Sequence, residues 1–469
     1  MADQSSKNDK KTINMFLYRT LMPVLIGLSK IIVGVRTDKS ALKGVKGPYL
    51  IVGNHTSPID FLYFTAGVYP KPINFVVAEN MIYRKVYGAF IRSFGTIKKK
   101  QFTADFQCIK QIKKNIDAGT HVLLFPEDRV SIDGTTGYIA PSIGKLIKFL
   151  DCTVVAGVTH GGYTGGPKWG KPRRTKVTLK LAPVLTKEEI KNMSAADIAA
   201  KITNSLRFDD NRNLVEEHRK ISRCNKRAEG LEKILYKCPC CGAEFKNVTK
   251  GNVMKCTQCG NTVEYGRDGI LHAIKGKTFD YISDWYDFER QDLKEQVTDE
   301  NFRLEGKVAL YVNNEKLNKF VKDGEGTLSV SKDGIKYVGE TGENKSLEFK
   351  IENRGTIAFK MGENLEVSEA GIFTDLRLPK DCSVRNSCLQ SRNCTNDTLT
   401  ERGNFETRID EKKQKDDAGT IDDKHAVVPL LRATFQSRRK NKVRVQSRQI
   451  RNQRAERSVS GAWKSHVVG

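Results

Sequence analysis

The 469-residue chain predicts an α/β fold, a mixed sheet flanked by helices, followed by a small cysteine-bound ribbon and a small all-β domain. Three observations carry this. Between Pro48 and about Val184, short apolar runs alternate with helical stretches, the pattern of an α/β unit. Two Cys-x2-Cys turns then lie between Cys238 and Cys259. From about Gly306 to Leu378, apolar and polar residues alternate in short bursts separated by turn signals, which is the period of antiparallel strands.

In chain order, residues 1–14 form a polar N-terminus and 15–36 an apolar helix carrying Arg19, Pro23 and Lys30. Its uncharged part is too short to cross a hydrocarbon layer of about 30 Å. It reads as a helix in the membrane interface, with basic residues snorkelling to head groups, or as a buried helix of the first domain. Residues 37–235 are the α/β domain. Within it, strands are expected at Pro48–Val52, Asn74–Val77, His121–Phe125, Thr153–Thr159 and Val177–Leu181, with helices from Ser57 to about Val68, Lys110–Ala118 and Pro141–Leu150. Basic, solvated helical residues run from Lys187 to Tyr236. Residues 236–265 are the ribbon, 266–304 an aromatic-bearing connector, 305–379 the small β-rich domain and 380–469 a disordered basic tail.

Charge divides along the same lines. Residues 1–237 carry 40 basic and 20 acidic side chains (+20), residues 238–379 carry 20 and 24 (−4), and residues 380–469 carry 20 and 11 (+9). The surplus sits on the first domain, which points to an anionic partner such as phosphate, an acidic carrier or a lipid surface. No small-residue cleavage site follows the first apolar stretch, so the expected location is the cytoplasmic face of a membrane, peripheral or monotopic.

The chemistry centres on Gly53-Asn54-His55-Thr56-Ser57-Pro58-Ile59-Asp60. A strand ending near Val52 and a helix opened by Ser57-Pro58 put His55 on the strand-to-helix turn and Asp60 in the first helical turn. A carboxylate in reach of one imidazole nitrogen fixes the tautomer and leaves the other nitrogen free to take a proton. Ser57 to Asp60 equally matches a capping box with Asp60 in the glutamate position. About 70 residues later the strand ending at Phe125 runs into Pro126-Glu127-Asp128-Arg129-Val130-Ser131. At a strand exit, Arg129 could grip a phosphate bidentately and Glu127 accept a hydrogen bond from a hydroxyl. A surface turn with a local ion pair has the same pattern.

Together the two motifs resemble the glycerolipid acyltransferases, over roughly residues 15–235. Asn54 to Asp60 looks like that family's first block, which carries the catalytic base. Gly95-Thr96-Ile97-Lys98-Lys99-Lys100-Gln101 looks like the second, with Gln101 where the family places arginine. Phe125-Pro126-Glu127 looks like the start of the third, which usually continues Gly-Thr-Arg-Ser; here Asp128 replaces the glycine and Arg129 comes one residue early. Val154 to Val158 resembles the apolar fourth block.

The resemblance implies transfer of a fatty acyl group from acyl-CoA or an acyl carrier protein to the sn-2 hydroxyl of 1-acyl-glycerol-3-phosphate, in phospholipid biosynthesis, or to another lysophospholipid. His55 would be the base and Asp60 its orienting partner. Arg129, Lys98, Lys99 and Lys100 would be candidates for the phosphate, with Glu127 near the glycerol. The lysine run also suits a solvated face. No serine or cysteine stands in an elbow beside the pair, so no acyl-enzyme is implied.

Cys238-Pro239-Cys240-Cys241-Gly242 and Cys256-Thr257-Gln258-Cys259-Gly260, 14 residues apart, have the pattern of a zinc ribbon. Cys238, Cys241, Cys256 and Cys259 would close a tetrahedral, structural zinc shell, with Cys240 spare; disulfides or free thiols are the alternatives. Ribbons often bind nucleic acid or protein partners. Here the ribbon's own section is slightly acidic, which argues against nucleic acid.

Overall fold

The computed structural model describes residues 13–377 apart from 14, 83–93, 101–104, 128, 298, 300–301, 315–318, 332–333, 350–357, 361–363 and 370–371. Residues 1–12 and the tail 380–469 lie outside the described residues, as do Gln101 and Asp128.

The first sheet has seven strands: β1 (Arg36–Asp38), β2 (Leu50–Gly53), β3 (Ile73–Ala78), β4 (Ile97–Lys99), β5 (His121–Leu124), β6 (Val154–His160) and β7 (Thr178–Leu185). Their order is β1-β7-β6-β2-β5-β3-β4. β6, β2, β5, β3 and β4 are mutually parallel, and β7 turns back antiparallel to β6 and pairs parallel with β1. Parallel strands are covered on both faces and so read as unbroken apolar runs, as 50–52, 122–124 and 154–156 do here.

Alternation along those runs divides them between two cores. Leu50, Val52, Val122, Leu124, Val154 and Ala156 pack with the helices Phe106–Asp117, Ser142–Leu150 and Ala195–Ser205. Ile51, Leu123, Val155, Leu179 and Leu181 pack with Tyr18, Met22 and Ile26 of the helix Met15–Ile32, and with Tyr63 and Phe64 of the helix Asp60–Val68. The N-terminal helix is thus half core. Its other side leaves Phe16, Val24, Leu28 and Ile31 in solvent. No described helix is long and apolar enough to cross a membrane.

The ribbon section forms a second sheet, β8 (Asn247–Lys250), β9 (Val253–Cys256), β10 (Thr262–Tyr265) and β11 (Leu271–Lys275), antiparallel in the order β11-β10-β9-β8. A third, also antiparallel, comprises β12 (Arg303–Asn314), β13 (Lys319–Ser331), β14 (Gly334–Gly339), β15 (Ser346–Phe349), β16 (Ala358–Lys360), β17 (Asn364–Glu369) and β18 (Ile372–Arg377), in the order β15-β14-β13-β12-β18-β17-β16. The expected architecture, a mixed α/β sheet followed by antiparallel β structure with a four-cysteine cluster, is the one observed.

Three local expectations change. The helix after His55 begins at Asp60, not Ser57, because the Thr56 and Ser57 amides turn onto the Asp60 carboxylate instead of entering a helix. After the helix Asp210–Glu216 the chain is not solvated helix but mostly irregular. Ile221, Ala228, Leu231, Ile234, Leu235 and Tyr236 are buried with Met254, Val263 and Tyr265 of the ribbon sheet and with Ile132, Tyr163 and Trp169 of the first domain. The stretch expected as a connector contributes the helix Ile282–Val297, whose Trp285 and Tyr286 enter that same core while Leu293 enters the core of the third sheet. A ribbon of four short strands buries too little apolar area to stand alone, and here it takes that area from its neighbours.

Candidate active site

Parallel pairing explains why two motifs about 70 residues apart meet. β2 and β5 are neighbours with Val52 opposite Leu124, so the chain leaves both at the same edge, where α/β sheets gather ligand-binding groups. His55 and Phe125 consequently stack, ring centroids 4.2 Å apart and 12° from parallel. Gly53 is required here, since a Cβ at that position would lie 2.4 Å from the Phe64 ring. Asn54 extends the β2–β6 ladder with its side chain: Oδ1 accepts from the Thr159 amide (2.8 Å) and Nδ2 donates to the Thr159 carbonyl (2.9 Å).

His55 Nδ1 lies 3.0 Å from Asp60 Oδ2. The Asp60 side chain is wholly buried. Oδ2 also accepts from the Thr56 amide (2.6 Å) and the Ser57 amide (2.9 Å), while Oδ1 accepts from Thr56 Oγ1 (3.1 Å). A carboxylate on backbone amides has only acceptor capacity to offer the ring. Nδ1 therefore carries the proton that reaches Oδ2, and Nε2 is left with its lone pair. The capping-box pattern and the catalytic pattern are one arrangement, because a single oxygen terminates the turn and holds the imidazole. Thr56 Oγ1 in turn meets Thr159 Oγ1 at 2.9 Å, and a Cβ on Gly162 would collide with Thr56 Oγ1 at 2.1 Å.

Glu127 is also wholly buried. Oε1 accepts from the His55 amide (3.1 Å) and Oε2 from the Gly137 amide (2.6 Å). The Ser131 amide donates to the His55 carbonyl at 2.7 Å. The loop thus grips His55 by both backbone groups, and Glu127 is placed as a support of the His55 backbone. Burial pushes the Glu127 carboxyl up to about 8, against the pull of its two amide donors. Its folded pKa is raised, so the protonated form is favoured in the native state: that contribution to stability is complete below the ordinary value of 4.5 and lost as pH rises through about 8. The melting temperature of the native protein should fall across that window relative to Glu127→Gln, a difference that melts at pH 5 and pH 8 would show.

Arg129 is half-buried on the same loop. Its basicity is lowered by burial, raised by Tyr286 and lowered by Arg290. The Lys98-Lys99-Lys100 run is farther off, on and just beyond β4 at the sheet's rim, three strands or about 14 Å from β2. Lys99 pairs with Ala78 at the end of β3, which places the run along the edge where His55 lies. Lys98 and Lys100 are exposed and Lys99 half-exposed.

Sequence reasoning did not find Asn54, Thr56, Thr159, Ser131 or Gly137. Asn54 and Thr56 adjoin His55 and could have been suspected. Ser131 and Gly137 act through their backbone amides, which any residue type supplies, and Thr159 comes from a strand about 100 residues away, so residue type and spacing do not mark them.

The four cysteines lie with all Sγ atoms within 4.8 Å of one another, Cys238 to Cys259 at 3.7 Å and Cys241 to Cys256 at 3.9 Å. A tetrahedron with Zn–S near 2.3 Å has sulfurs about 3.8 Å apart, whereas a disulfide needs about 2.05 Å. The donor set fits zinc. Gly242 (φ 68°) and Gly260 (φ 79°) adopt the left-handed conformation that closes each knuckle, and their amides donate to the Cys238 and Cys256 carbonyls.

Comparison with known proteins agrees on the first domain. Residues 33–158 match the family model described as Acyltransferase, a span that takes in His55, Asp60, Glu127 and Arg129. No curated protein matches the chain. Among solved structures, the crystal structure of the 1-acyl-sn-glycerophosphate (LPA) acyltransferase PlsC from Thermotoga maritima is 18% identical with a TM-score of 0.35, covering 44% of this chain and 83% of that one. A likeness so distant carries no argument about substrate. The segment 33–158, with the His55–Asp60 pair on the exit of its central strand, is thus the part of the chain that is similar to acyltransferases.

Proposed function

We propose that the protein transfers a fatty acyl group from a thioester, acyl-CoA or acyl carrier protein, to the sn-2 hydroxyl of 1-acyl-glycerol-3-phosphate, giving phosphatidic acid. The observation that carries the reading is the His55–Asp60 contact on a fully buried, four-times-bonded carboxylate. A thioester is already activated, so what remains is to deprotonate an alcohol and hold two substrates together. His55 Nε2 takes the hydroxyl proton as the oxygen attacks the thioester carbonyl. The tetrahedral intermediate expels the thiolate, which recovers the proton. Asp60 holds the ring in its tautomer and stabilises the imidazolium. Arg129 grips the acceptor phosphate, with the Lys98–Lys100 run drawing anionic substrate and lipid head groups to the sheet edge.

The acceptor is a membrane lipid, and the N-terminal helix supplies access to it. Phe16 (79% exposed) and Ile31 (70%), with Val24 and Leu28 between them, give the outer face of a helix anchored by its inner side. It lies on the membrane as a peripheral element. Cys238, Cys241, Cys256 and Cys259 hold zinc in a closed four-sulfur shell, a structural role with no position open to substrate.

His55→Ala, its fold verified by circular dichroism, is expected to lower acyl transfer to lysophosphatidate by roughly 10²–10⁴-fold. Near-normal turnover would remove the assignment. A panel of lysophospholipids, each with both donor types, identifies the preferred acceptor and donor.

A further inference from the structure

Thr159 places a hydroxyl where packing alone would favour a methyl group. By the alternation of β6 it falls on the same face as Val155, which enters the core, and Gly157, where a Cβ would meet the Phe64 ring. The residue is wholly buried. Valine would fill the same space, and a buried hydroxyl costs free energy unless it is hydrogen-bonded. Thr159 is also the first residue beyond the segment that matches the acyltransferase family. The Asn54 side chain fixes it beside β2 by holding its amide and its carbonyl.

Two hydroxyls and a carboxylate stand in line there. Thr159 Oγ1 lies 2.9 Å from Thr56 Oγ1 and 3.0 Å from Asn54 Oδ1, and Thr56 Oγ1 lies 3.1 Å from Asp60 Oδ1. Each hydroxyl has one proton to give. If Thr56 gave its proton to Thr159, Asp60 Oδ1 would lose that donor in a wholly buried position. With the Thr56 proton on Asp60, the 2.9 Å contact is bonding only if Thr159 donates into it. Asn54 Oδ1 does not need that proton, because it already accepts from the Thr159 amide. The protons therefore run from Thr159 to Thr56 to Asp60 Oδ1, while Oδ2 accepts from His55 Nδ1 and the Thr56 and Ser57 amides. A hydroxyl that accepts a bond donates a stronger one, and the gain is largest in a dry interior. Asn54, Thr56, Thr159 and Asp60 are all wholly buried, so solvent reaches neither hydroxyl.

We propose that Thr159 is a positioning residue of the acyl transfer and acts through Thr56. Its hydroxyl fixes the Thr56 proton on Asp60 Oδ1, which locks the carboxylate with Oδ2 toward the His55 ring. The base is thus held from a third strand, β6, as well as from β2 and β5. This rests on the reading of His55 as the base of an acyl transfer.

The test uses full-length protein carrying Thr159→Val, Thr159→Ser, Thr56→Val or both valines, with thermal melts to show that each is folded. Thr159→Val should lower kcat for lysophosphatidate acylation about three- to tenfold, the worth of one hydrogen bond, with KM for both substrates within about twofold. Thr159→Ser, which keeps the hydroxyl, should recover most of that loss. In the Thr56→Val background, Thr159→Val should cost less than about twofold more, because the line of hydroxyls is already broken. A kcat within about twofold of wild type in Thr159→Val overturns the proposal, as does a loss that serine does not relieve or one of equal size in both backgrounds. If Thr159→Val does not fold, Thr159→Ala replaces it; if neither folds, the hydroxyl serves the fold and the proposal is overturned. If the wild type transfers no acyl group to any acceptor, the functional reading fails, and the line of hydroxyls is judged by the proton resonance of His55 Nδ1 in protein with isotope-labelled histidine, identified by its loss in His55→Ala. An upfield shift of that resonance in Thr159→Val, reversed in Thr159→Ser, sustains the line, and an unchanged resonance overturns it.

Discussion

Asp60→Ala is expected to slow acyl transfer severely and to destabilise the domain at the same time. Removing the carboxylate leaves the Thr56 and Ser57 amides and His55 Nδ1 without their common acceptor in a fully buried position. Each unsatisfied buried donor costs on the order of 1–3 kcal/mol, so the variant should lose about 3–5 kcal/mol even with partial relaxation. Activity should fall by roughly 10²–10⁴-fold, since the ring loses its tautomer and its orientation.

Asp60→Asn separates the two roles. Its carbonyl oxygen can still accept the backbone amides and hold the turn, but the neutral group no longer stabilises an imidazolium. It should melt within about 1–2 kcal/mol of wild type while turning over as slowly as the alanine variant. Paired melts and initial rates decide this. Wild-type turnover in Asp60→Asn would leave the carboxylate with a capping role alone.

Removal of the metal should have the second large effect. Cys238 and Cys256 are buried, Cys241 and Cys259 exposed, so a chelator can reach the site from one side. Apparent zinc affinities of closed four-ligand sites correspond to roughly 10–16 kcal/mol at neutral pH. Zinc bound there would lend that free energy to the packing of Met254, Val263 and Tyr265 against Trp169, Tyr163 and Ile132. Chelation, or Cys241→Ser, should therefore lower the melting temperature of the first domain as well as that of the ribbon. Freshly purified protein with under about half an equivalent of zinc, or one whose unfolding ignores chelation, would count against the metal.

Much of this was legible in the chain. The apolar runs at 50–52, 122–124 and 154–156 are continuous because both faces of a parallel sheet are covered, so their periodicity alone marks them as central strands. The His55–Asp60 spacing and the Cys-x2-Cys pairs are local: their geometry follows from one turn, and the sequence is enough to place the donors. The helix starts three residues later than the Ser57-Pro58 signal predicts, because Thr56 and Ser57 have the same composition whether they cap a helix or feed a carboxylate. Of the stretch Lys187 to Tyr236, expected as solvated helix, residues 218–236 are neither, because their basic side chains are spaced among apolar ones that pack against partners from other segments.

What the sequence by itself determined is the pair of motifs, the order of the sections and the cysteine set, all of which depend on residues close together in the chain. Tertiary structure alone decided what lies beside them. The pairing of β2 with β5 brings Phe125 and Glu127 to His55, and the shared core beyond residue 221 carries Arg290 to the loop of Arg129. Such contacts arise from strand neighbours and buried area, which no local pattern of residues encodes.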